Sequence, residues 1–299
     1  MRRTEPVDIG LLLVLAALWG SAFMFIKIGV SGFPPLTLVL VRMGVTALAL
    51  ASFSLAMGHG LPRGIHVWRA LVVVGAISSA IPFTMVAWSE KRIDSGAAAI
   101  IIGMTPVTTV VIAHFLRHDE RLSPSKILGA AVAFSGLVVL VGPRALAGLE
   151  LEVASFLTAA LATLFYAATT VYVRFLGHIS AIHIATGSAI SATVMVLPFS
   201  LIIDAPWTLD PSGEAWFGAL ALALLPTAAG TALYYHLVAR TSATFGSSVN
   251  YLIPLAGVLW GMAFLGERPG WEALAALALI LAGVTLISLG GRVRRARLT

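Results

Sequence analysis

Long apolar runs alternate with short polar breaks along the whole chain. A helix that crosses a membrane needs about 20 apolar residues at 1.5 Å each. The runs are continuous and do not alternate, which favours helices over the strands of a barrel. The pattern predicts an all-α integral membrane protein with ten transmembrane helices. The predicted spans are 9–30, 34–56, 68–88, 95–116, 125–142, 152–174, 181–203, 214–237, 243–264 and 271–290.

Composition agrees with this class. Charged residues make up 11% of the 299 residues, with a mean hydropathy of +0.98, whereas soluble domains average about 25% charged residues. The chain has no cysteine, which excludes disulfides, thiolate chemistry and cysteine-ligated metals. The first span is too long for a cleavable signal, and no small-x-small cleavage site follows it, so we expect it to remain as a helix.

The basic residues set the expected orientation. With a cytoplasmic N-terminus, the cytoplasmic side holds thirteen Lys and Arg residues and the other side four, while Lys27 and Arg42 lie within spans. Because positive charge concentrates on the cytoplasmic side, both termini are predicted to be cytoplasmic, in the inner (cytoplasmic) membrane. The basic tail from Arg292 to Arg297 is interpreted as a topology anchor that contacts lipid headgroups, not nucleic acid.

The two halves of the chain repeat the same landmarks. Three pairs of residues keep a spacing of 147 or 148 positions: Pro106 with Pro254, Glu120 with Glu267, and Gly136 with Gly283. Each copy contains five spans, an odd number, so the second copy must cross the membrane in the opposite sense. The sequence therefore predicts two inverted five-helix units, residues 1–143 and 144–299, with a binding site between them near the membrane midplane.

Several motifs together resemble EamA-type members of the drug/metabolite transporter superfamily. Residues 19–23, Trp-Gly-Ser-Ala-Phe, followed by Lys27, are similar to their first helix, and Pro35 followed by Arg42 is similar to their second. The stretches from Pro106 to Glu120-Arg121-Leu122 and from Pro254 to Gly266-Glu267-Arg268 resemble the ends of two EamA units. The resemblance covers essentially the whole chain.

This resemblance implies ten helices in an inverted repeat and the export or exchange of small metabolites. Similar members include amino-acid exporters, among them the aromatic amino-acid exporter branch. The sequence departs from the pattern at Asp119, which stands where the second copy has Gly266. The first-helix motif also lacks a clean second copy, so the two halves are not interchangeable and the site is expected to be asymmetric.

Charged residues at membrane depth are costly and are candidates for function. Lys27 either faces the cavity and pairs with a carboxylate or extends its ammonium to the outer interface. Arg42 lies deeper, and either binds helix-end carbonyls or acts in gating or substrate binding. Glu90 and His236 are the possible proton-linked groups, although His236 also fits an ordinary interfacial histidine.

Carboxylates are otherwise confined to the ends of spans. Glu120 and Glu267 stand at loop–helix junctions, where each is predicted to accept hydrogen bonds from helix N-terminal amides or to pair with an arginine. This makes their expected role structural. No Asp or Glu falls clearly in the middle of a span, which argues against an obligatory proton relay through a buried carboxylate.

Prolines are expected to interrupt spans 3, 4, 8 and 9. Each proline removes a backbone donor and frees a carbonyl, which favours helices that line a cavity, with a static kink as the alternative. Amphipathic aromatics and small polar groups on these and facing spans are cavity candidates, with the interfacial aromatic belt as the alternative. The candidates are Trp19, Ser79, Pro82, Trp88, Pro106, Tyr166, Tyr234, Tyr235, Asn250, Tyr251 and Pro254. Pro226 is the fourth of the prolines expected to interrupt a span. Gly257 and Gly261 form a Gly-x-x-x-Gly pattern that predicts a close helix contact within the bundle.

These features predict a secondary transporter of small metabolites, above all amino acids, that works by alternating access. Asn250, serines of the ninth span and backbone freed by Pro254 or Pro106 are expected to bind the zwitterion. A drug cation or a nucleotide sugar is the alternative cargo, but the first needs a buried carboxylate and the second needs several basic groups. No catalytic motif, metal site or cofactor site is recognised, so an enzyme is not expected. The expected partners are a small-molecule substrate and the lipid bilayer, without nucleic acid, and a monomer is expected to suffice.

Overall fold

The computed structural model describes residues 5–116 and 124–296, and within them the fold is all-α. Ten helices of this described part are long and apolar enough to cross a membrane. This confirms the predicted fold class. The helices are α1 (Pro6–Gly29), α2 (Pro35–Ala56), α3 (Ile65–Glu90), α4 in two parts (Ser95–Ile102 and Thr105–Leu116), α5 (Pro124–Leu146), α6 (Glu150–Leu176), α7 (Ala181–Asp204), α8 (Gly213–Arg240), α9 in two parts (Ala243–Ser247 and Val249–Phe264) and α10 (Trp271–Ala296).

The helix ends differ from the predicted ones where polar residues continue a helix beyond the apolar run. α3 begins three residues early, at Ile65, and α10 continues to Ala296. α5 passes through Pro143 and ends at Leu146, four residues beyond the predicted end at 142. Proline has a helical φ and costs only one hydrogen bond near a helix end. The turn after α5 is made at Gly148, which has a positive φ of 69°.

Two prolines coincide with widened, π-helical turns. In α3 the π segment Ala76–Ala80 lies just before Pro82, and in α8 the π segment Ala223–Ala229 contains Pro226. The two segments begin 147 residues apart, which is the spacing of the sequence repeat. Such turns leave backbone groups without their usual helical partners. The two halves therefore share a local irregularity that no residue pattern had indicated.

The other two prolines behave differently from each other. α4 is divided at Gly103 and Met104, just before Pro106. In α9 the predicted interruption at Pro254 is wrong: the helix is continuous from Val249 to Phe264, and its break lies earlier, at Ser248. The ring of Pro254 packs against Gly103, so this proline fills a contact between α9 and the break in α4.

The major helix contacts join the two halves to each other. α1 packs on α8 and α9, and α6 packs on α3 and α4. α2 packs on α7, and α5 packs on α10. Each of α1–α5 corresponds to the helix five places later in the chain. If every helix is exchanged for its corresponding one, each contact in this set becomes another contact of the same set. The interior of the bundle is thus an interface between two similar units.

The contact between α5 and α10 depends on residues without bulky side chains. A Cβ added at Gly129 would lie 2.6 Å from the carbonyl oxygen of Gly283, and one at Gly136 would lie 3.0 Å from that of Ala276. Gly129 and Gly136 precede Ala276 and Gly283, respectively, by 147 positions. The two contacts are therefore reciprocal, as in an interface across a twofold axis.

The Gly-x-x-x-Gly pattern of α9 lies inside the bundle, as predicted. Gly257 lies directly against Ala99 of α4, and Gly20 of α1 lies against the backbone of Gly257. Gly261 accommodates the carboxylate of Glu267. The pattern thus brings three helices close together and does not mark an outer dimer surface.

The two ends of the bundle are packed to different extents. Asp8 at the start of α1 contacts Arg240 at the end of α8, and Tyr251 early in α9 contacts Ser288 late in α10. The start of α1 and the end of α10 therefore lie at one end of the bundle, here called the terminal end, and the opposite end is the distal end. In the distal half, residues 98–101 of α4 and Leu222 of α8 are completely buried. Towards the terminal end, residues 109–112, 231–235 and 250–253 are all half-buried. Four or five consecutive residues cover every face of a helix, so the inward faces here are accessible as well.

Candidate functional site

Arg42 lies inside the bundle, about two turns from the distal end of α2, and is only 7% exposed. Its Nε donates a hydrogen bond to Thr227 Oγ1 of α8 at 3.0 Å. The carbon of its guanidinium lies 3.5 Å from the ring centroid of Phe83. The acceptor is a side-chain hydroxyl, so the expected binding to helix-end carbonyls is wrong. A cation at this depth costs at least about 2.5 kcal/mol unless the protein compensates for it.

The residues around Arg42 come from both halves of the chain. Tyr166 of α6 lies beside Phe83, with ring centroids 6.3 Å apart, and interacts electrostatically with the guanidinium. Thr227 belongs to the π segment of α8 and donates to the Leu222 carbonyl at 2.7 Å. Because Pro226 has no N–H, this carbonyl lacks the usual α-helical donor four residues later in the chain. Arg42 is thereby connected to the widened turn of α8.

A second group lies nearer the terminal end and is called here the aromatic cluster: Trp19, Tyr234 and Tyr235. The ring centroids are 5.3 Å apart for Trp19 and Tyr234, and 5.8 Å apart for Tyr234 and Tyr235. Trp19 packs onto Gly230 of α8, where a Cβ would lie 2.7 Å from its Nε1. These three predicted residues form one half-buried aromatic surface. His236, next in sequence, points outward and is exposed.

Seven predicted cavity residues lie outside these two groups, on α3, α4 and α9, and four of them are Ser79, Pro82, Pro106 and Tyr251. Ser79 is buried and shares a hydrogen bond of 3.0 Å with Ser78. Pro82 is buried just after the π segment of α3, and Pro106 is half-buried at the start of the second part of α4. Tyr251 pairs its hydroxyl with Ser288 of α10.

The polar run of α9 offers less than expected. Asn250 is half-buried and makes no side-chain hydrogen bond to any residue in the described part of the chain. Ser248, in contrast, donates to the Phe245 carbonyl, and Ser247 is exposed. The Ser248 hydroxyl therefore uses its donor within its own helix and keeps only its acceptor lone pairs for a zwitterion.

Trp88 lines a separate, nearly apolar cavity between α2, α3, α6 and α7. The cavity has a volume of about 560 Å³ and also borders Thr84, Thr158 and Met195. The guanidinium of Arg92 lies 4.9 Å from the Trp88 ring centroid. Because its other walls include the lipid-exposed Phe199, this cavity opens towards the side of the bundle.

Lys27 binds main-chain oxygens at the distal end. Its Nζ donates to the carbonyls of Glu90 and Ile93 at 2.8 and 2.7 Å. These carbonyls belong to the last residue of α3 and to the turn that follows. Lys27 makes no ion pair with any described residue, so the expected carboxylate pairing is wrong. The lysine instead closes the connection between α3 and α4 against α1.

Two carboxylates make further cross-bundle contacts at the distal end. Glu267 accepts hydrogen bonds from the amides of Ser95 and Gly96 at 2.7 and 3.0 Å, at the start of α4. Asp204 of α7 accepts from the amide and the hydroxyl of Thr37 at 2.8 and 2.9 Å. Both ligate the N-terminus of a helix of the other half, where the helix dipole favours negative charge. Glu120 lies outside the described residues.

Glu90 is completely buried, and neither of its carboxylate oxygens has a hydrogen-bond partner among the described residues. Lys27, Arg42 and Glu267 interact with it electrostatically, but none forms an ion pair with it. Glu90 lies at the end of α3 and not in the middle of a span, yet it is buried there. α1 and α4 cover the end of α3, where this carboxylate lies.

The terminal end has a salt bridge that the sequence did not suggest. Arg240, at the end of α8, binds Asp8 of α1 with an Nε–Oδ1 distance of 3.0 Å, and Asp8 is only 2% exposed. Glu5 lies 3.8 Å from the same guanidinium. In the described ranges, no group of three His, Cys, Asp or Glu side chains is placed to hold a metal ion.

Comparisons with known proteins agree on the class of molecule. The model of the family described as "EamA-like transporter family" matches residues 8–142 and 154–289, one match in each half. A "Probable terminal-alkyne amino-acid exporter" of Streptantibioticus cattleyicolor is 29% identical over 93% of this chain and 92% of its own length. A "Probable amino-acid metabolite efflux pump" of Salmonella typhimurium is 25% identical over 95% of this chain and 96% of its own. The "Uncharacterized inner membrane transporter YedA" of Escherichia coli K12 is 26% identical over 94% and 90%.

A solved crystal structure has a similar fold. It aligns with a TM-score of 0.68, covers 97% of this chain and 100% of its own, and is 18% identical in sequence. At that identity the likeness concerns the fold alone, and it agrees with the helical architecture described above.

Proposed function

Because this chain belongs to the EamA-like transporter family, we propose that it exports amino acids across the inner membrane, as an exporter or facilitator. Membership makes the chain a multi-pass membrane transporter of a small molecule and not an enzyme. The cargo class is supported by two relatives that are named for amino-acid export or efflux. It is also supported by a buried cation beside aromatic rings at membrane depth, since a cation suits a carboxylate and the rings suit a side chain.

The proposed mechanism is alternating access between two inverted five-helix units, residues 1–143 and 144–299. The distal end is closed in this structure by Lys27, Asp204 and Glu267, each bound to main-chain groups of another helix. The terminal half is less tightly packed. The structure then corresponds to a state that opens towards the terminal end. Export requires that the two distal contacts between the units, those of Asp204 and Glu267, break while the terminal half closes.

The substrate path in this proposal runs from the aromatic cluster to Arg42. Trp19, Tyr234 and Tyr235 form its wall near the terminal end, and Asn250 supplies a free polar group there. Tyr166 stands beside Arg42 deeper in the bundle. Pro82, Pro106 and Pro254 act on the shape of this path, because each lies at or beside an irregular turn or helix contact.

Transport by the purified protein tests the proposal directly. Proteoliposomes loaded with unlabelled amino acids and supplied with the same amino acid in labelled form are expected to accumulate label above that of empty liposomes. A panel of aliphatic, aromatic, acidic and basic amino acids gives the specificity. If no member of the panel accumulates in liposomes that hold folded, correctly inserted protein, the proposed cargo is wrong.

Glu90 is the proposed proton-linked group, because it is a fully buried carboxyl without a hydrogen-bond partner. The titratable and charged groups that face it are Lys27 of α1, Arg42 of α2, Tyr166 of α6 and Glu267. We expect a pH difference across the liposome membrane to change the initial rate of wild-type transport and to leave that of Glu90→Gln unchanged. Glu214→Gln, at an exposed carboxylate, is the control and is expected to respond like the wild type. An equal response of all three proteins would exclude Glu90 as the coupling group.

A cationic drug is the second candidate cargo, and the buried carboxyl of Glu90 is the observation that favours it. A nucleotide sugar is less well supported, because Lys27 and Arg42 are the only basic groups within the described spans near the proposed path. Lipophilic cations and nucleotide sugars added to the same counterflow panel separate the three cargo classes. Accumulation of a cation without any amino acid would favour the second candidate.

The arrangement in the cell is also part of the proposal. Both termini are placed in the cytoplasm by the charge count of thirteen against four. The monomer is taken as the working unit because the proposed path lies between two halves of one chain.

A further inference from the structure

We infer that Arg42 forms a binding site for the carboxylate of the transported molecule, with Phe83 and Tyr166 beside the carboxylate's apolar substituent. The inference rests on the proposed function and narrows it. The cargo class becomes molecules that carry both a carboxylate and an apolar or aromatic group. Sequence patterns had left two roles open for Arg42, one structural and one in substrate binding. The inference assigns Arg42 to substrate binding.

The guanidinium retains unused hydrogen-bond donors. Arginine has five N–H groups, and here only Nε has an acceptor, the hydroxyl of Thr227. Nη1 and Nη2 make no hydrogen bond to the described part of the protein. The enclosed side-chain atoms that lack partners there belong to Glu90, Ser95 and Ser191. Nη1 and Nη2 are not among these enclosed atoms, so they border space that a water molecule can reach.

A purely structural arginine would be expected to look different. At membrane depth, charged side chains normally pair with one another or with carbonyl oxygens, or they face a water-filled cavity. Arg42 binds no carbonyl, and although it interacts with Glu90 electrostatically, it forms no ion pair with it. The edge of the planar guanidinium formed by Nη1 and Nη2 is therefore available to a ligand. That edge matches a carboxylate with two parallel hydrogen bonds.

The surroundings restrict how a ligand approaches. Phe83 covers one face of the guanidinium at 3.5 Å and fixes its plane. Tyr166, 6.3 Å from Phe83, extends the aromatic surface beside it. A carboxylate on the free edge lies in the plane of the guanidinium, and a substituent that turns towards Phe83 would meet this aromatic surface. An apolar or aromatic group suits such a surface better than a charged one.

The site also involves both halves of the chain. Arg42 and Phe83 belong to the first half, whereas Tyr166 and Thr227 belong to the second. Thr227 lies in the π segment of α8. A ligand on the guanidinium would therefore be connected through Thr227 to an irregular turn of the opposite half. The site is thus placed where relative movement of the halves changes access.

Substrate analogues that lack one charged group provide the test. Phenylalanine, phenylalaninamide (no carboxylate) and 3-phenylpropionate (no ammonium) are used as competitors of labelled phenylalanine in proteoliposomes. For the wild type we expect phenylalaninamide to compete at least about tenfold more weakly than phenylalanine, because it leaves a buried cation unpaired. In Arg42→Gln we expect the KM for phenylalanine to rise about tenfold and the preference over the amide to fall to about twofold or less. Arg42→Lys, which keeps the charge and loses the planar edge, is expected to lie between them.

Two further measurements separate this role from a structural one. Thr227→Val removes the hydrogen bond to Nε but keeps the free edge, so we expect it to preserve the preference for phenylalanine over the amide. Melting of the detergent-solubilised protein with 3-phenylpropionate reports carboxylate binding without transport. We expect this compound to raise the melting temperature of the wild type and not that of Arg42→Gln.

Each outcome decides one of the claims. Equal competition by phenylalanine and its amide in the wild type overturns the carboxylate site while leaving amino-acid transport intact. An equal loss of affinity for both compounds in Arg42→Gln shows that Arg42 only supports the fold or balances the charge of Glu90. This result also overturns the carboxylate site. If no amino acid is transported but 3-phenylpropionate stabilises the wild type alone, the proposed function fails and the carboxylate site stands. If neither occurs, both fail.

Discussion

Gly283→Leu is expected to abolish the accumulation of folded protein. A Cβ at this position would overlap the carbonyl oxygen of Gly129 and would lie 2.7 Å from the amide nitrogen of Ala133. Both of these atoms are backbone atoms of α5 and cannot rotate away. Overpacking of a close-packed interior costs roughly 1–3 kcal/mol when side chains can adjust, and a backbone contact costs more. α5 and α10 would have to separate along their length.

Expression as a fusion to green fluorescent protein, followed by fluorescence size-exclusion chromatography, measures this effect. Gly142→Leu is the matched control, because Gly142 also lies in α5 and nothing comes within 4 Å of a Cβ there. We expect the control to give a monodisperse peak like the wild type, and Gly283→Leu to give aggregate or no peak. A normal peak for Gly283→Leu would mean that the two helices do not touch at this point in the membrane.

The second large effect is expected for Glu267→Ala. The carboxylate accepts hydrogen bonds from the amides of Ser95 and Gly96, at 2.7 and 3.0 Å, and thereby joins the α9–α10 connection to α4. Hydrogen bonds to a charged group contribute about 1.5–3 kcal/mol each, so the loss of both is expected to cost about 3 kcal/mol or more. Glu267→Gln keeps one acceptor oxygen and is expected to fall between alanine and the wild type.

Thermal melting of the purified protein in detergent measures this loss. Glu214→Ala is the control, since Glu214 is exposed in the first turn of its own helix and accepts no hydrogen bond from another helix in the described part of the chain. We expect its melting temperature to stay close to that of the wild type. If Glu267→Ala melts at the same temperature as Glu214→Ala, the carboxylate does not hold α4 in the membrane-embedded fold.

The number and positions of the helices follow from hydropathy, because each helix must satisfy its own backbone in lipid whatever its neighbours are. The details that failed depend on neighbours. α5 passes through Pro143 because a single lost hydrogen bond near a helix end is inexpensive. The π segments of α3 and α8 leave no mark on the apolar pattern. Pro254 does not break α9, because its ring instead fills the contact with Gly103.

The candidate site was predicted less well for a geometric reason. Residue spacing tells which face of one helix a side chain occupies, but not which face of which other helix lies opposite. Trp19 and Tyr234 meet, whereas Trp88 lies at a different cavity. The burial of Glu90 could not be predicted from the local sequence, because it is supplied by α1 and α4, which are distant from it in sequence or across a turn. The partners of Arg42 come from three other helices, and no local pattern identifies them.

The reciprocal contact between α5 and α10 has an evolutionary consequence. Positions 129 and 136 lie seven residues apart on α5, and their counterparts 276 and 283 lie seven residues apart on α10. In a single-copy ancestor of the repeat, these two positions would lie on one helix. Two such helices related by a twofold axis would make both contacts at once. The interface could therefore form first between separate identical chains, and gene fusion would then preserve it without requiring any new contact.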